Sequence, residues 1–190
     1  KQWRSNIQAV GKFGLDDTWR WGFAGARSSD DTYLRRYGFS SSDTLTSNLF
    51  VEGFSGRSYA SANAWAFQGL RAEDDPGQTP LILPMLDYKF ISNPDIFGGT
   101  FRFDGNALSL SRNEGLDSRR LSGRADWRAP RVGRLGDIWG LSAGLRADAY
   151  WVSDSTNGSR DGFTGRLVPQ IAIDWRWPLV RPEAGSRQVL

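Results

Sequence analysis

Apolar and polar residues alternate along much of the chain, and residues 163–179 show this alternation most clearly. The apolar positions of that stretch are Leu167, Pro169, Ile171, Ile173, Trp175, Trp177 and Leu179. A period of two predicts a β-strand with one apolar and one polar face. The polar face carries Asp174 and Arg176, and a packed soluble core accepts such charges only when they are fully paired. The pattern is therefore typical of a strand between hydrocarbon and water.

The segment 139–152 repeats the pattern and carries a tryptophan at each end of its apolar face. Its outward residues are Trp139, Leu141, Ala143, Leu145, Ala147, Ala149 and Trp151. A strand rises ~3.3 Å per residue and tilts by ~40° in a membrane barrel, so the distance between the two tryptophans roughly matches the apolar band of a barrel. The segment thus predicts a strand whose two ends reach the aromatic girdles at the membrane surfaces.

The same alternation predicts about nine antiparallel strands and no helix. Their approximate limits are 6–15, 18–28, 44–54, 57–70, 81–88, 99–112, 120–128, 139–152 and 163–179. Short connections tend to alternate with long ones, as periplasmic turns alternate with outer loops in outer-membrane barrels. An odd number of antiparallel strands leaves both sheet edges unpaired, so we expect neighbouring strands outside this chain. The expected fold is all-β: residues 1–190 form a segment of one antiparallel, up-and-down transmembrane β-barrel domain.

Composition supports this class and narrows the alternatives. The chain is 13% aromatic, with nine tryptophans, yet its mean hydropathy is negative, as expected when every lipid-facing residue has a polar neighbour. No run approaches the ~18 apolar residues of a membrane helix. A soluble β-sandwich remains an alternative, in which the tryptophan faces would pack against each other.

The absence of cysteine and histidine excludes several kinds of chemistry from this sequence. Disulfides, thiolate metal sites, imidazole zinc sites and Ser-His-Asp catalysis all need one of these residues. We expect no enzyme activity, no cofactor, no metal and no nucleic acid. The acidic pairs 16–17, 30–31 and 74–75 could offer oxygen ligands to a divalent cation, but aspartate is also the residue expected in turns, which we favour.

Two groups of side chains are candidate functional residues. The lumen-facing charges are Arg120, Arg124, Arg128, Arg146, Arg166 and Arg176, with Asp126, Asp148 and Asp174 as acidic partners. The arginines could bind phosphates or a partner's carboxylates; we favour an internal ladder, in which each cross-strand pair contributes ~0.2 to 1 kcal/mol. The predicted lipid-interface aromatics are Trp19, Trp21, Trp127, Trp139, Trp151, Trp175 and Trp177.

Five ordered segments resemble the barrel region of the LptD family of lipopolysaccharide-assembly proteins. They are 31–37 (DTYLRRY), 80–88 (PLILPMLDY), the strand around 120–128, 147–150 (ADAY) and 169–178. The resemblance implies a large barrel in the outer membrane of a Gram-negative bacterium that inserts lipopolysaccharide into the outer leaflet. It also implies two partners, a plug lipoprotein of the LptE kind and a periplasmic Lpt bridge that delivers lipopolysaccharide through an N-terminal jelly roll.

The same resemblance suggests which parts of such a protein this chain lacks. We expect the jelly-roll domain, the terminal barrel strands between which the lipid leaves, and the family's paired disulfide cysteines to lie outside it. Two other functions stay open. A porin-like diffusion channel or an uptake receptor could use a similar barrel, and an outer-membrane hydrolase could draw its histidine from other strands.

Overall fold

The computed structural model describes residues 3–154, 161–183 and 186–189, and it contains one sheet of nine antiparallel strands in sequence order. The strands are β1 (Asn6–Gly14), β2 (Trp19–Ser28), β3 (Thr44–Ser55), β4 (Ser58–Gly69), β5 (Leu81–Ile91), β6 (Thr100–Ser111), β7 (Leu116–Val132), β8 (Ile138–Asp154) and β9 (Gly162–Arg176). The predicted all-β, up-and-down architecture is confirmed. It is the architecture of a β-barrel segment.

Three details differ from the expectation. The connection 29–43 contains a single helical turn, α1 (Tyr33–Arg36). A separate hairpin, β10 (Val180–Glu183) with β11 (Ser186–Val189), follows the sheet. Strand β9 ends at Arg176, before Trp177 and Leu179, because Pro178 has no N–H to donate and restricts the residue before it. Among the described residues, no helix is long and apolar enough to cross a membrane.

The connections define two ends of the sheet. Segments 29–43, 70–80 and 112–115 lie at one end, here called the loop end, and segments 15–18, 56–57, 92–99 and 133–137 lie at the other, the turn end. The expected alternation of long and short connections holds from β1 to β5. It fails at 112–115, where Gly115 has a φ of 108° and allows a tight turn at the loop end.

Strand register divides the side chains into an outer and an inner face. On the outer face, Leu145 of β8 lies opposite Ala125 of β7 and Pro169 of β9. Leu145 is 45% exposed and Ile171 on the same face is 80% exposed. The large apolar side chains of this face therefore point away from the sheet without a protein layer over them.

Few side chains of the described residues are buried, which decides against a sandwich. The buried apolar residues are Leu34, Leu45, Leu70 and Ala129. A β-sandwich needs two sheets that pack their apolar faces together, whereas the nine main strands form one sheet whose apolar face is exposed. An apolar face of this size in a folded protein requires cover from another phase or another chain.

Strands β2 and β3 separate towards the loop end. Their ladder runs from Trp19 only as far as Ala24, which lies opposite Asn48. Beyond it, the Ser47 hydroxyl and the Gln68 amide bond to backbone groups of β2. Three apolar side chains pack at this end of the sheet as a small core: Leu34 of α1, Leu45 of β3 and Leu70 after β4. Side chains thus replace the backbone ladder at this place.

Candidate functional site: the charged inner face

A row of polar side chains crosses the inner face from β2 to β9. Its members lie directly opposite one another on successive strands: Arg20, Glu52, Ser61, Asp87, Asn106, Ser122, Asp148 and Arg166. Residues paired in this way have Cβ atoms ~4.5 to 5.5 Å apart, within reach of their neighbours. We call this set the polar row. The sequence alone indicates only Asp148 and Arg166 among these residues, because the other members are recognised only when the strand register is known.

Asp148 is the most enclosed charge of the polar row, with a side chain that is 1% exposed. Its Oδ2 lies 3.0 Å from Nε of Arg146 and 3.1 Å from Nη2 of Arg166. The Ser122 hydroxyl donates to the same carboxylate. The carboxylate is therefore paired from its own strand and from both neighbouring strands.

Two further ion pairs lie nearer the turn end. Arg124 donates to Asp126 through two nitrogens, at 2.6 and 3.1 Å. Oδ1 of Asp126 would lie 2.7 Å from a Cβ atom at position 144, so Gly144 leaves the space in which this carboxylate sits. Arg128 and Asp174 form a looser pair, with 3.9 Å between Nη2 and Oδ2.

The other two predicted lumen arginines do not pair with the predicted aspartates. Nη2 of Arg120 donates to the Asn106 amide oxygen at 2.7 Å, and Nδ2 of Asn106 donates to Asp87 at 2.8 Å. Arg176 is paired with Ile138 through the strand ladder, and its side chain makes no hydrogen bond or ion pair within the described residues. The structure thus brings Arg124, Arg128, Arg146 and Arg166 to the three predicted aspartates and leaves Arg120 and Arg176 apart from them.

Three outer-face tryptophans at the turn end are held by aspartates of the turns. Nε1 of Trp127 lies 2.9 Å from Oδ2 of Asp95. Nε1 of Trp139 and Nε1 of Trp175 both lie near Oδ2 of Asp137, at 2.5 and 3.3 Å. The indole rings therefore lie on the apolar face while their N–H groups point to charged groups outside the strands. An amphipathic ring at a membrane surface takes this orientation.

The remaining tryptophans lie at both ends of the sheet. Trp151 lies at the loop end, with its ring 5.2 Å from that of Phe163. Trp19 covers Gly53 on β3, and Trp21 stacks on Phe13 at 4.6 Å, both in the half nearer the turn end. Trp177 follows the end of β9 and meets Trp175 edge to face.

Comparison with protein families identifies the chain. The model of the family LptD, described as LPS transport system D, matches residues 2–190. The chain belongs to the LptD family. No curated protein matched the chain. LptD proteins reside in the outer membrane of Gram-negative bacteria and transport lipopolysaccharide, so the family is one of transport and assembly proteins. This assignment favours lipopolysaccharide transport over the diffusion channel, the uptake receptor and the hydrolase.

The loop end of the sheet carries an ion-pair cluster outside the strands. Asp43 accepts from Arg35 of α1 and from Arg71 after β4, each at 2.5 Å. The Arg71 bond is the main cause of the lowered pKa of Asp43, with a further contribution from Arg35. The cluster joins the connection that contains α1 to the end of β4.

At the turn end, the aspartates that accept from the tryptophans also have lowered pKa values. The Trp139 hydrogen bond is the main cause of the lowered pKa of Asp137. The Trp127 hydrogen bond and the Gly99 backbone N–H lower the pKa of Asp95. Both carboxylates are thus held in the charged form that accepts the indole N–H.

The acidic pairs of the sequence stabilise their turns through hydrogen bonds. Asp16 accepts from the backbone N–H groups of Thr18 and Trp19 at 2.7 Å each. Asp30 accepts from Thr32, and Asp75 accepts from the N–H of Gly77 at 2.8 Å. Across the part of the chain that the structure describes, three or more acidic residues do not come together as ligands for a metal ion.

Proposed function

We propose that this sheet is part of the wall of an outer-membrane barrel that inserts lipopolysaccharide into the outer leaflet together with a plug lipoprotein of the LptE kind. The observation that carries the proposal is the separation of the two faces. The outer face exposes large apolar side chains, whereas the inner face carries the polar row. A wall between lipid and a hydrated lumen needs this arrangement.

We further propose that the lumen-facing arginines are mainly structural. Asp148 is shared by Arg146 and Arg166, so these charges tie β8 to β9. Arg128 and Asp174 extend the pairing from β7 to β9. Most of the lumen arginines are thus engaged with the sheet itself, which supports the ladder over a dedicated binding role for each of them.

The proposed partner is tested by photo-crosslinking from two adjacent positions at the loop end. A photoreactive amino acid replaces Tyr150 on the inner face or Trp151 on the outer face of the full-length protein, in cells that depend on that copy. The two side chains are similarly exposed, at 38% and 43%, so access to reagents is matched. Position 150 should capture the plug lipoprotein and position 151 should not. Equal capture at both positions, or capture at 151 alone, would contradict the proposal.

The transport role is tested in the same cells by depletion of the full-length protein. Newly made lipopolysaccharide should then fail to reach the cell surface, and the parent gene supplied in trans should restore it. Normal surface lipopolysaccharide after depletion would overturn the role.

A further inference from the structure

A cleft on the inner face near the turn end has more positive than negative charge. Its volume is about 1050 Å³, and it runs from the turn between β3 and β4 across to β9. The charged residues that line it are Arg57, Arg102, Arg124, Arg128, Asp126 and Asp174. Four guanidinium groups thus face two carboxylates. We call this feature the arginine cleft.

The pairing inside the arginine cleft leaves some of its guanidinium groups available. Arg124 is satisfied by Asp126 at 2.6 Å. Arg128 lies 3.9 Å from Asp174, beyond hydrogen-bond distance, and its side chain is 66% exposed. Within the described residues, Arg57 and Arg102 have no carboxylate within 4.0 Å. Arg57 donates only to the backbone carbonyl of Ser92, and Arg102 lies opposite Asp126, whose carboxylate is bound by Arg124. The cleft therefore keeps a net positive charge, since its two carboxylates already face Arg124 and Arg128.

Register and residue size give the arginine cleft room for a bound group. Arg128 lies opposite Thr100, and Arg102 lies two residues further along β6, so the two arginines are diagonal neighbours ~7 to 8 Å apart at their backbones. The strands beside them contribute small side chains to the lining: Ser142, Gly144 and Ala172. The volume of about 1050 Å³ is slightly above the ~300 to 1,000 Å³ typical of small-molecule sites.

We propose that the arginine cleft binds phosphate groups on the saccharide part of lipopolysaccharide, through Arg57 and Arg102. The guanidinium fork matches the geometry of a phosphate, and such charge-assisted hydrogen bonds are the strong ones. The side chains that line the cleft are mostly charged or polar, as a sugar requires, and the small lining residues leave space for a group that enters from the lumen. This inference rests on the proposed function, since it names where on the wall the substrate is held.

The test uses the full-length protein with its partner, purified in detergent, and a photoreactive amino acid at Ser142 as the probe of the cleft. One background is otherwise unchanged, a second carries Arg57→Gln with Arg102→Gln, and a third carries Arg134→Gln. Arg134 is an exposed arginine in the turn 133–137, at the same end but outside the lining of the cleft. Each sample receives lipopolysaccharide or its dephosphorylated form, with and without inorganic phosphate as competitor.

The yield of the lipopolysaccharide adduct at position 142 should fall roughly tenfold or more in the double variant and stay unchanged in Arg134→Gln, because two charge-assisted bonds are lost. Dephosphorylated lipopolysaccharide should give the low yield in every background. Inorganic phosphate should compete only at concentrations far above those of lipopolysaccharide.

Other outcomes overturn the proposal in distinguishable ways. If the adduct yield is the same in all three backgrounds and with dephosphorylated lipopolysaccharide, the cleft is not a phosphate site. The transport role would still stand if the same variants keep normal surface lipopolysaccharide. Full competition by inorganic phosphate at equal concentration would show a free-phosphate site instead. An adduct with the plug lipoprotein in place of lipopolysaccharide would assign the cleft to the partner's carboxylates.

Discussion

Asp148 on β8 lies directly opposite Arg166 on β9, with 3.1 Å between Oδ2 and Nη2. Arg146 approaches the same carboxylate from within β8, at 3.0 Å. A replacement Arg146→Glu would put a second carboxylate beside an enclosed one, and like charges at this distance repel strongly. We expect barrel assembly to be impaired more than lipopolysaccharide contact per folded molecule. Heat-modifiable mobility on gels measures assembly, and crosslinking measures contact.

The control for that variant is Arg134→Glu, which reverses an exposed charge in a turn and should assemble normally. If Arg146→Glu folds as its parent does but loses its crosslinks to lipopolysaccharide, the arginine is a ligand contact and the structural ladder is the wrong interpretation.

Leu145 tests the outer face, since it lies near the middle of β8 and is 45% exposed. The substitution Leu145→Arg should lower the free energy of unfolding in lipid by about 2 to 4 kcal/mol if this side chain meets the bilayer centre. Gln170→Arg is the matched control, because Gln170 lies at the same level on the inner face, opposite Gly144. Chemical unfolding in vesicles measures both. Equal costs for the two variants would show that the faces do not differ in solvent.

The contacts of Asp137 with Trp139 and Trp175 should depend on pH. Its pKa is lowered from 3.8, mainly by the Trp139 hydrogen bond. Because the pKa of Asp137 is lower in the folded protein than in the unfolded chain, its charged form stabilises the fold fully above pH 3.8. This stabilisation is lost as the pH falls through the lower pKa of the folded state. Tryptophan emission should therefore change only below pH 3.8, and the change should be smaller in Asp137→Asn, whose amide oxygen still accepts. A difference between the two proteins centred above that pH would contradict the assignment.

Leu34 tests the small core at the loop end, where it is 1% exposed against Leu45 and Leu70. Leu34→Ala should cost about 2 to 5 kcal/mol locally, as large-to-small changes at buried sites do. Because this core holds α1 against β3 and the end of β4, limited proteolysis should cut the connection 29–43 faster, while the mobility of the folded barrel stays unchanged. Arg36→Ala, at an exposed side chain of α1, is the control. Unchanged proteolysis in Leu34→Ala would show that the core does not hold the connection.

The fold could be predicted because a barrel wall faces lipid on one side and water on the other. Each strand therefore alternates apolar and polar residues with a period of two. In β8 the tryptophans at 139 and 151 mark both ends of the apolar face, and the structure gives the strand as Ile138–Asp154. The same signal is ambiguous in β4, where alanines alternate with Trp65 and Phe67. Register resolves it: Trp65 lies opposite Asn48, on the inner face, and the alanines lie outside.

The candidate site could be predicted only in part, because contacts across strands depend on register. The sequence identified Asp148 and Arg166 from the charge on one face, but Ser61, Asp87 and Asn106 join the polar row only through pairing. Arg120 shows the same limit, since its partner is the Asn106 amide and not an aspartate. The sequence pattern also did not predict the hydrogen bonds between the turn aspartates and the tryptophans. An aspartate two residues before Trp139 is a local signal of one such contact.

The most direct test of the central claim is a scan of nitroxide spin labels along β8, from position 141 to 150, in the full-length protein in lipid bilayers. Oxygen accessibility reports hydrocarbon, and accessibility to a water-soluble nickel chelate reports the lumen. We predict that odd positions, led by 143 and 145, favour oxygen, and that even positions, led by 144 and 146, favour the chelate. Accessibility without a period of two, or with the two faces exchanged, would contradict the account of the sheet as a wall between lipid and a hydrated lumen.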